Sequence, residues 1–116
     1  MGKVSDKNFE IKSKTNSYFF GIYTLDTDFK ETYGGVYIFT KRTKKEDGTF
    51  QHYVIYIGKT KKFNQRFDSH ERWNDIKSHN ANCICVLKTN SEDESLAIEK
   101  DILLNNKTPL NDQHNK

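Results

Sequence analysis

Six polar side chains, spread in order over most of the chain, have the types that acid–base work on an anionic substrate calls for: Tyr37, Tyr56, Arg66, His70, Glu99 and Asn111. The two tyrosines sit in short signatures, Gly35-Val36-Tyr37 and Tyr56-Ile57-Gly58. A histidine with an ordinary pKa near the working pH can orient or deprotonate a water. The fixed fork of an arginine suits a phosphate better than the point charge of a lysine. Leu96, Glu99 and Leu103 fall at helical spacing, which puts Glu99 on the apolar stripe of its helix. A carboxylate facing a core is costly unless it is paired or binds a cation. One carboxylate with waters and substrate oxygens is how Mg²⁺, or Mn²⁺ in its place, is commonly held. Each residue also has an ordinary reading: the tyrosines as strand packing, Arg66 and Glu99 as salt-bridge partners, His70 as an incidental helix histidine, and Asn111 as a loop cap.

Several elements must position these groups. Val36-Tyr37-Ile38-Phe39 and His52-Tyr53-Val54-Ile55-Tyr56-Ile57 read as strands, rich in β-branched and aromatic residues. Asp47-Gly48 between them is a hairpin dipeptide. If that turn closes symmetrically, Phe39 faces Tyr56, and Tyr37 is its diagonal neighbour on the same face. A slip of one residue would send the two phenols to opposite faces. Gly58 has no Cβ and admits close approach of a backbone or a phosphate. From about Lys62 to His79 the spacing predicts a helix that carries Arg66 and His70 on one face. Residues 82–88 read as a third strand, with Cys83 and Cys85 as small buried thiols. Ser91 and Glu94 open a further helix as a capping box; Pro109 ends it, leaving a loop to Lys116.

The resulting class is α+β: a small central antiparallel β-sheet of about three strands, flanked by helices, with Tyr18–Tyr23 as an optional extra N-terminal edge strand. Residues 1–17 form a polar, flexible N-terminus, 18–112 the folded domain and 113–116 a tail. Hydrophobic residues make up 34% of the 116, so the core is modest, and the 13% aromatic content must supply much of it.

The net charge is +3, but Lys41, Arg42, Lys44, Lys45, Lys59, Lys61, Lys62 and Arg66 crowd the middle of the chain. A lopsided basic stripe suits a phosphate backbone. Lys59, Lys61, Lys62, Lys41 and Arg42 are therefore the candidate nucleic-acid contacts. Unpaired thiols fit a reducing cytoplasm. The polar N-terminus carries neither a secretory signal nor a membrane span.

Tyr56-Ile57-Gly58-Lys59-Thr60, followed by Arg66, His70, Glu99 and Pro109-Leu110-Asn111, resembles the GIY-YIG nuclease superfamily over residues 34–112. Gly21-Ile22-Tyr23 matches the first signature of that family literally; Gly35-Val36-Tyr37 matches it with Val at the centre. The later triplet is chosen because only it lies on the strand immediately before Tyr56. The resemblance implies a stand-alone, metal-dependent endonuclease with Mg²⁺ or Mn²⁺ on Glu99. It makes Arg66 the phosphate clamp, Tyr37 or His70 the general base, and Asn111 a hydrogen-bonding buttress. DNA is the expected substrate. An RNA-cleaving, toxin-like nuclease of the same fold and a catalytically inactive nucleic-acid-binding module are the alternatives, and the oligomeric expectation is a monomer or weak dimer.

Overall fold

The structure, a computed structural model, describes Val4, residues 8–64, Phe67 and residues 70–114, the side chains of 112–114 excepted. Its elements in chain order are β1 (Phe9–Lys12), β2 (Ser17–Thr24), β3 (Gly35–Lys44), β4 (Phe50–Thr60), α1 (Trp73–Ser78), β5 (Cys83–Lys88), α2 (Glu92–Asn105) and α3 (Pro109–His114). The strands form one antiparallel sheet in the order β1-β2-β5-β3-β4. The α+β class holds, with five strands in place of about three.

The extra strands lie in the N-terminal third. Tyr18–Tyr23 does form a strand, β2, but it lies inside the sheet, between β1 and β5. The edge is β1, in the segment that composition marks as a polar terminus. Its signal is a four-residue alternation, Phe-Glu-Ile-Lys, in which only Ile11 is fully buried. The sheet curls until its two edges meet: the rings of Phe9 in β1 and His52 in β4 stack at 4.7 Å.

Curling separates two cores. Ile22, Ile38, Ile57, Cys85 and Ile102 fill one, closed by α2. The other is mostly aromatic, with Phe29, Tyr37, Phe39, Phe63 and Phe67 joined by Ile76 and Leu110. Such rings bury large areas per residue, which offsets the low aliphatic content. Both cysteines are buried and unpaired. Among the described residues no helix is long and apolar enough to cross a membrane.

The hairpin turns where expected but not symmetrically about Asp47-Gly48: from Lys44–Phe50 to Thr40–Val54 the strands pair one residue off that register. Gly48 takes φ +88°, and Lys45 N–H donates to the Thr49 carbonyl at 2.7 Å. Phe39 pairs with Tyr56 and Tyr37 with Gly58. Beyond Phe39 the register shifts by one, because Thr40 pairs with Val54 and Ile55 is left as a bulge.

Three local expectations need correction. Within the described part of residues 62–79, α-helix is confined to Trp73–Ser78, so His70 precedes the helix. Phe63 and Phe67, four residues apart in that segment, both pack against Phe29. Ser91 caps α2 by accepting the Glu94 N–H at 3.1 Å, but the Glu94 carboxylate reaches the Asn90 N–H at 2.6 Å, one residue earlier than a capping box requires. Finally, α2 ends at Asn105, and Pro109 opens α3 where a loop was expected; proline is well suited to a first helical position.

Candidate active site

β3 and β4 lay the two phenols side by side. Because Phe39 faces Tyr56, Tyr37, Phe39 and Tyr56 share one face, and the phenol rings stand 6.5 Å apart. Gly58 is the direct cross-strand partner of Tyr37, and the Tyr37 ring lies over it. A Cβ at residue 58 would collide with the phenol oxygen and ring. The close approach that glycine permits here is therefore that of Tyr37 itself. The literal Gly21-Ile22-Tyr23 triplet lies on β2, separated from β3 by β5. Its Tyr23 packs edge-on against Phe29.

His70 closes on this pair from the turn before α1. Its Nε2 is 3.0 Å from the Tyr37 hydroxyl, and its ring stands edge-on to Tyr56 at 5.2 Å. The Arg72 backbone N–H donates to His70 Nδ1 at 3.0 Å. A backbone N–H can only donate, so Nδ1 is the acceptor and the proton of the neutral ring sits on Nε2. Nε2–H thus donates to the Tyr37 oxygen, and the phenol's own hydrogen must point elsewhere. Burial, the neighbouring Tyr56 and the Glu99 charge, in that order, push Tyr37 well above the ordinary phenol range. Burial followed by Glu99 and Glu71 raises Tyr56 as well, while Arg72 opposes.

Glu99 comes from α2, half-buried and close enough for its charge to act on both phenols. The inward stripe of α2 is not quite the expected one. Ser95 and Ile102 are buried with Ile98 and Glu99 beside them, whereas Leu96 is 37% exposed. Burial raises the Glu99 pKa, opposed by the charges of Lys59 and Lys100. Glu99 is not among the residues lining the cleft in front of Tyr37 and His70, but a partly desolvated carboxylate gains from a cation. Among the described residues no three His, Cys, Asp or Glu side chains converge. The donor set therefore fits an ion that keeps most of its waters and takes substrate oxygens, as Mg²⁺ and Mn²⁺ do, and does not fit an all-protein cage.

Asn111 stands behind the strand. Its Oδ1 accepts the Ile57 N–H at 2.7 Å and its Nδ2 donates to the Ile57 carbonyl at 2.9 Å. The Thr108 hydroxyl donates to the same Oδ1 at 2.6 Å. The side-chain amide thus takes up main-chain groups of an edge strand between Tyr56 and Gly58, and fixes both neighbours.

The cleft in front of Tyr37 and His70 has a volume of 420 Å³ and is also lined by Lys59, Lys61 and Ser95. Two lysines of the basic stripe are therefore at hand; Lys62 is exposed and outside this lining. Lys41 shares the sheet face of Tyr37 but lies four residues along β3, about 13 Å away. Arg42 points to the opposite face, where its guanidinium covers the Phe50 ring at 3.5 Å. Strand parity thus separates two residues that adjacency in sequence had grouped. Arg66 lies outside the described residues. Thr60, Ser95 and Glu92 line the cleft without having been singled out. Ser95 was reachable from sequence, since it precedes Glu99 by one helical turn.

Compared with known proteins, residues 33–112 match the family model of the GIY-YIG catalytic domain. No curated protein and no solved structure matches the chain.

Proposed function

The chain belongs to the GIY-YIG catalytic-domain family, a family of nucleases, and on that premise we propose that it is a metal-dependent endonuclease hydrolysing phosphodiester bonds in DNA. The observation that carries this reading is the Tyr37 oxygen. It accepts an N–H from His70 at 3.0 Å and opens onto a cleft lined by Lys59 and Lys61, within reach of the Glu99 charge.

In this scheme the substrate phosphate lies in the cleft against Lys59 and Lys61, with Arg66 as the clamp on its non-bridging oxygens. Tyr37 is the general base: its hydroxyl proton is first lost to solvent. The attacking water then passes its proton to the phenolate oxygen as it approaches phosphorus in line, and the leaving oxygen takes a proton from solvent. His70 is the orienting donor, because taking a proton at Nε2 would first require losing the one that Nδ1 bonding places there. An unassisted buried phenol is a poor base, so cations in the cleft must stabilise its anion. A Mg²⁺ or Mn²⁺ ion on Glu99 would supply the charge that polarises the phosphate and steadies the leaving oxygen. Tyr56 packs against His70 and limits its movement, and Asn111 holds the strand that presents Tyr56.

The test is cleavage of supercoiled plasmid DNA and, separately, structured RNA, with Mg²⁺ or with EDTA, by the wild type, Glu99→Ala and Tyr37→Phe. Metal-dependent DNA cleavage that both substitutions abolish is the expected result. Undiminished cutting by Glu99→Ala would remove the metal assignment. Cutting of RNA alone would transfer the reading to an RNA nuclease.

A further inference from the structure

A second cavity of 310 Å³ adjoins the cleft and shares Thr60, Lys61, Glu92 and Ser95 with it. Its far wall is Tyr33, 42% exposed, whose ring meets Phe63 edge-on at 6.0 Å and lies under the Lys88 ammonium at 4.7 Å. Main-chain hydrogen bonds fix the backbone that carries this ring. The Tyr33 carbonyl accepts the Phe63 N–H at 2.9 Å, and the Gly34 carbonyl accepts the Thr89 N–H at 3.1 Å. Any Cβ at residue 34 or 35 would strike the backbone of Thr60 and Lys61 or of Leu87, so only glycine lets this segment press so close.

The charges of the two spaces differ. The cleft has Lys59 and His70 in addition to the facing pair Lys61 and Glu92, whose charged atoms are 3.9 Å apart. Among the described residues the second cavity is lined by that opposed pair, the Tyr33 ring and the uncharged groups of Thr89, Asn90 and Ser91, and the Lys88 ammonium lies over the Tyr33 ring without lining the cavity. An anion belongs in the first space and a flat neutral group in the second. The geometry points to the Tyr33 cavity as a subsite for one nucleobase of the bound strand, next to the phosphate held in the cleft. It rests on the phosphodiester reading above and adds that the enzyme grips an unpaired or splayed base, since a base stacked within a duplex cannot enter a walled cavity.

The test uses the full-length protein in EDTA, so that binding is read without cleavage. The probe is a short single-stranded oligonucleotide carrying 2-aminopurine, whose fluorescence is quenched when it stacks. The wild type is expected to quench it on binding, and Tyr33→Phe to do the same. Tyr33→Ala should lose the quench and bind about 5- to 150-fold more weakly, the range for one stacked base. Asn90→Ala, at an exposed residue that lines the cavity, is a second variant and should also weaken binding; unchanged binding by both Asn90→Ala and Tyr33→Ala would overturn the subsite. Equal binding and quenching by Tyr33→Ala, equal losses in Tyr33→Phe and Tyr33→Ala, or no binding by the wild type would each overturn the subsite. The plasmid assay judges the nuclease reading separately.

Discussion

The Tyr37 phenol occupies the space that any side chain at Gly58 would fill, so the second signature glycine serves the tyrosine of the first. Gly58→Ala should therefore displace the ring rather than merely crowd the cleft. Misplacement of a reacting group by about 1 Å can cost 10²-fold in rate, and a loss of at least that size is expected. Overpacking should also cost about 1–3 kcal/mol of stability. Denaturant unfolding with cleavage kinetics checks both; a Gly58→Ala protein cutting at the wild-type rate would contradict the placement.

His70 is assigned as a donor to Tyr37, which makes a conservative variant informative. His70→Gln retains an N–H near the Nε2 position, whereas His70→Ala does not. Loss of a preorganised hydrogen-bond donor in an active site costs about 10²–10³-fold. His70→Ala should suffer that loss, and His70→Gln should recover part of it. Burial raises Tyr37, so the wild-type rate should climb as pH rises. In His70→Ala that climb should move to higher pH, because the phenolate has lost a hydrogen bond. An unshifted pH–rate profile would argue against the assignment.

Glu99 sets activity against stability. Burial raises its folded pKa above the unfolded value, so the folded state holds its proton more tightly. The resulting penalty is absent at acid pH and grows as pH rises through the raised value. Glu99→Gln should thus be inactive yet melt higher than the wild type at neutral pH, with the gap closing toward pH ~4. Mg²⁺ should raise the melting temperature of the wild type and leave that of Glu99→Gln unchanged. A lower melting point for Glu99→Gln at neutral pH would refute the burial argument.

Asn111 bonds both main-chain groups of Ile57 from a buried position. Asn111→Ala leaves those groups without their partners, at about 1–3 kcal/mol for each buried group left unpaired. The rate should fall with little change in KM, because Tyr56 and Gly58 lose their support while the substrate contacts remain. Steady-state kinetics beside thermal melts will separate the two effects.

His52 supplies an acid-side test away from the site. Its Nδ1 is 2.9 Å from the Thr40 hydroxyl, and burial with the Arg42 charge pushes its pKa from the ordinary 6.5 down to about 4. Its folded value lies below its unfolded one, so it contributes stability in full above pH ~6.5 that is lost as pH falls toward about 4. His52→Gln should flatten the decline of stability across that window by about 1–2 kcal/mol, allowing for partial exposure. An unchanged slope would show that other groups dominate acid unfolding.

Much of the scaffold could be read from residue order because its signals are local. Asp47-Gly48 marks the turn and the flanking strands alternate around it. The turn closes one residue off the symmetric register, however, and Phe39 faces Tyr56 only because the bulge at Ile55, which no local signal marks, restores that register. Ser91 caps α2 by its own hydroxyl. Where a segment draws its stability from distant contacts, local spacing misled. The Phe63–Phe67 interval resembles a helical stripe, yet the rings pack with Phe29 from the loop before β3. β1 exists because β2 offers it a partner, although its own four residues carry little hydrophobic signal.

The amino-acid order by itself determined which side chains were present, which tyrosine lay on the strand before Tyr56, and that the family's signatures recur in sequence. Only the tertiary structure decided that Tyr37 crosses Gly58, that the His70 proton sits on Nε2, that Lys41 and Arg42 part to opposite faces, and that Tyr33 walls a second cavity. The Tyr37–Gly58 crossing and the Tyr33 wall join residues whose separation along the chain carries no information about their distance in space. The His70 proton follows from a main-chain contact two residues away that only the conformation of its loop creates.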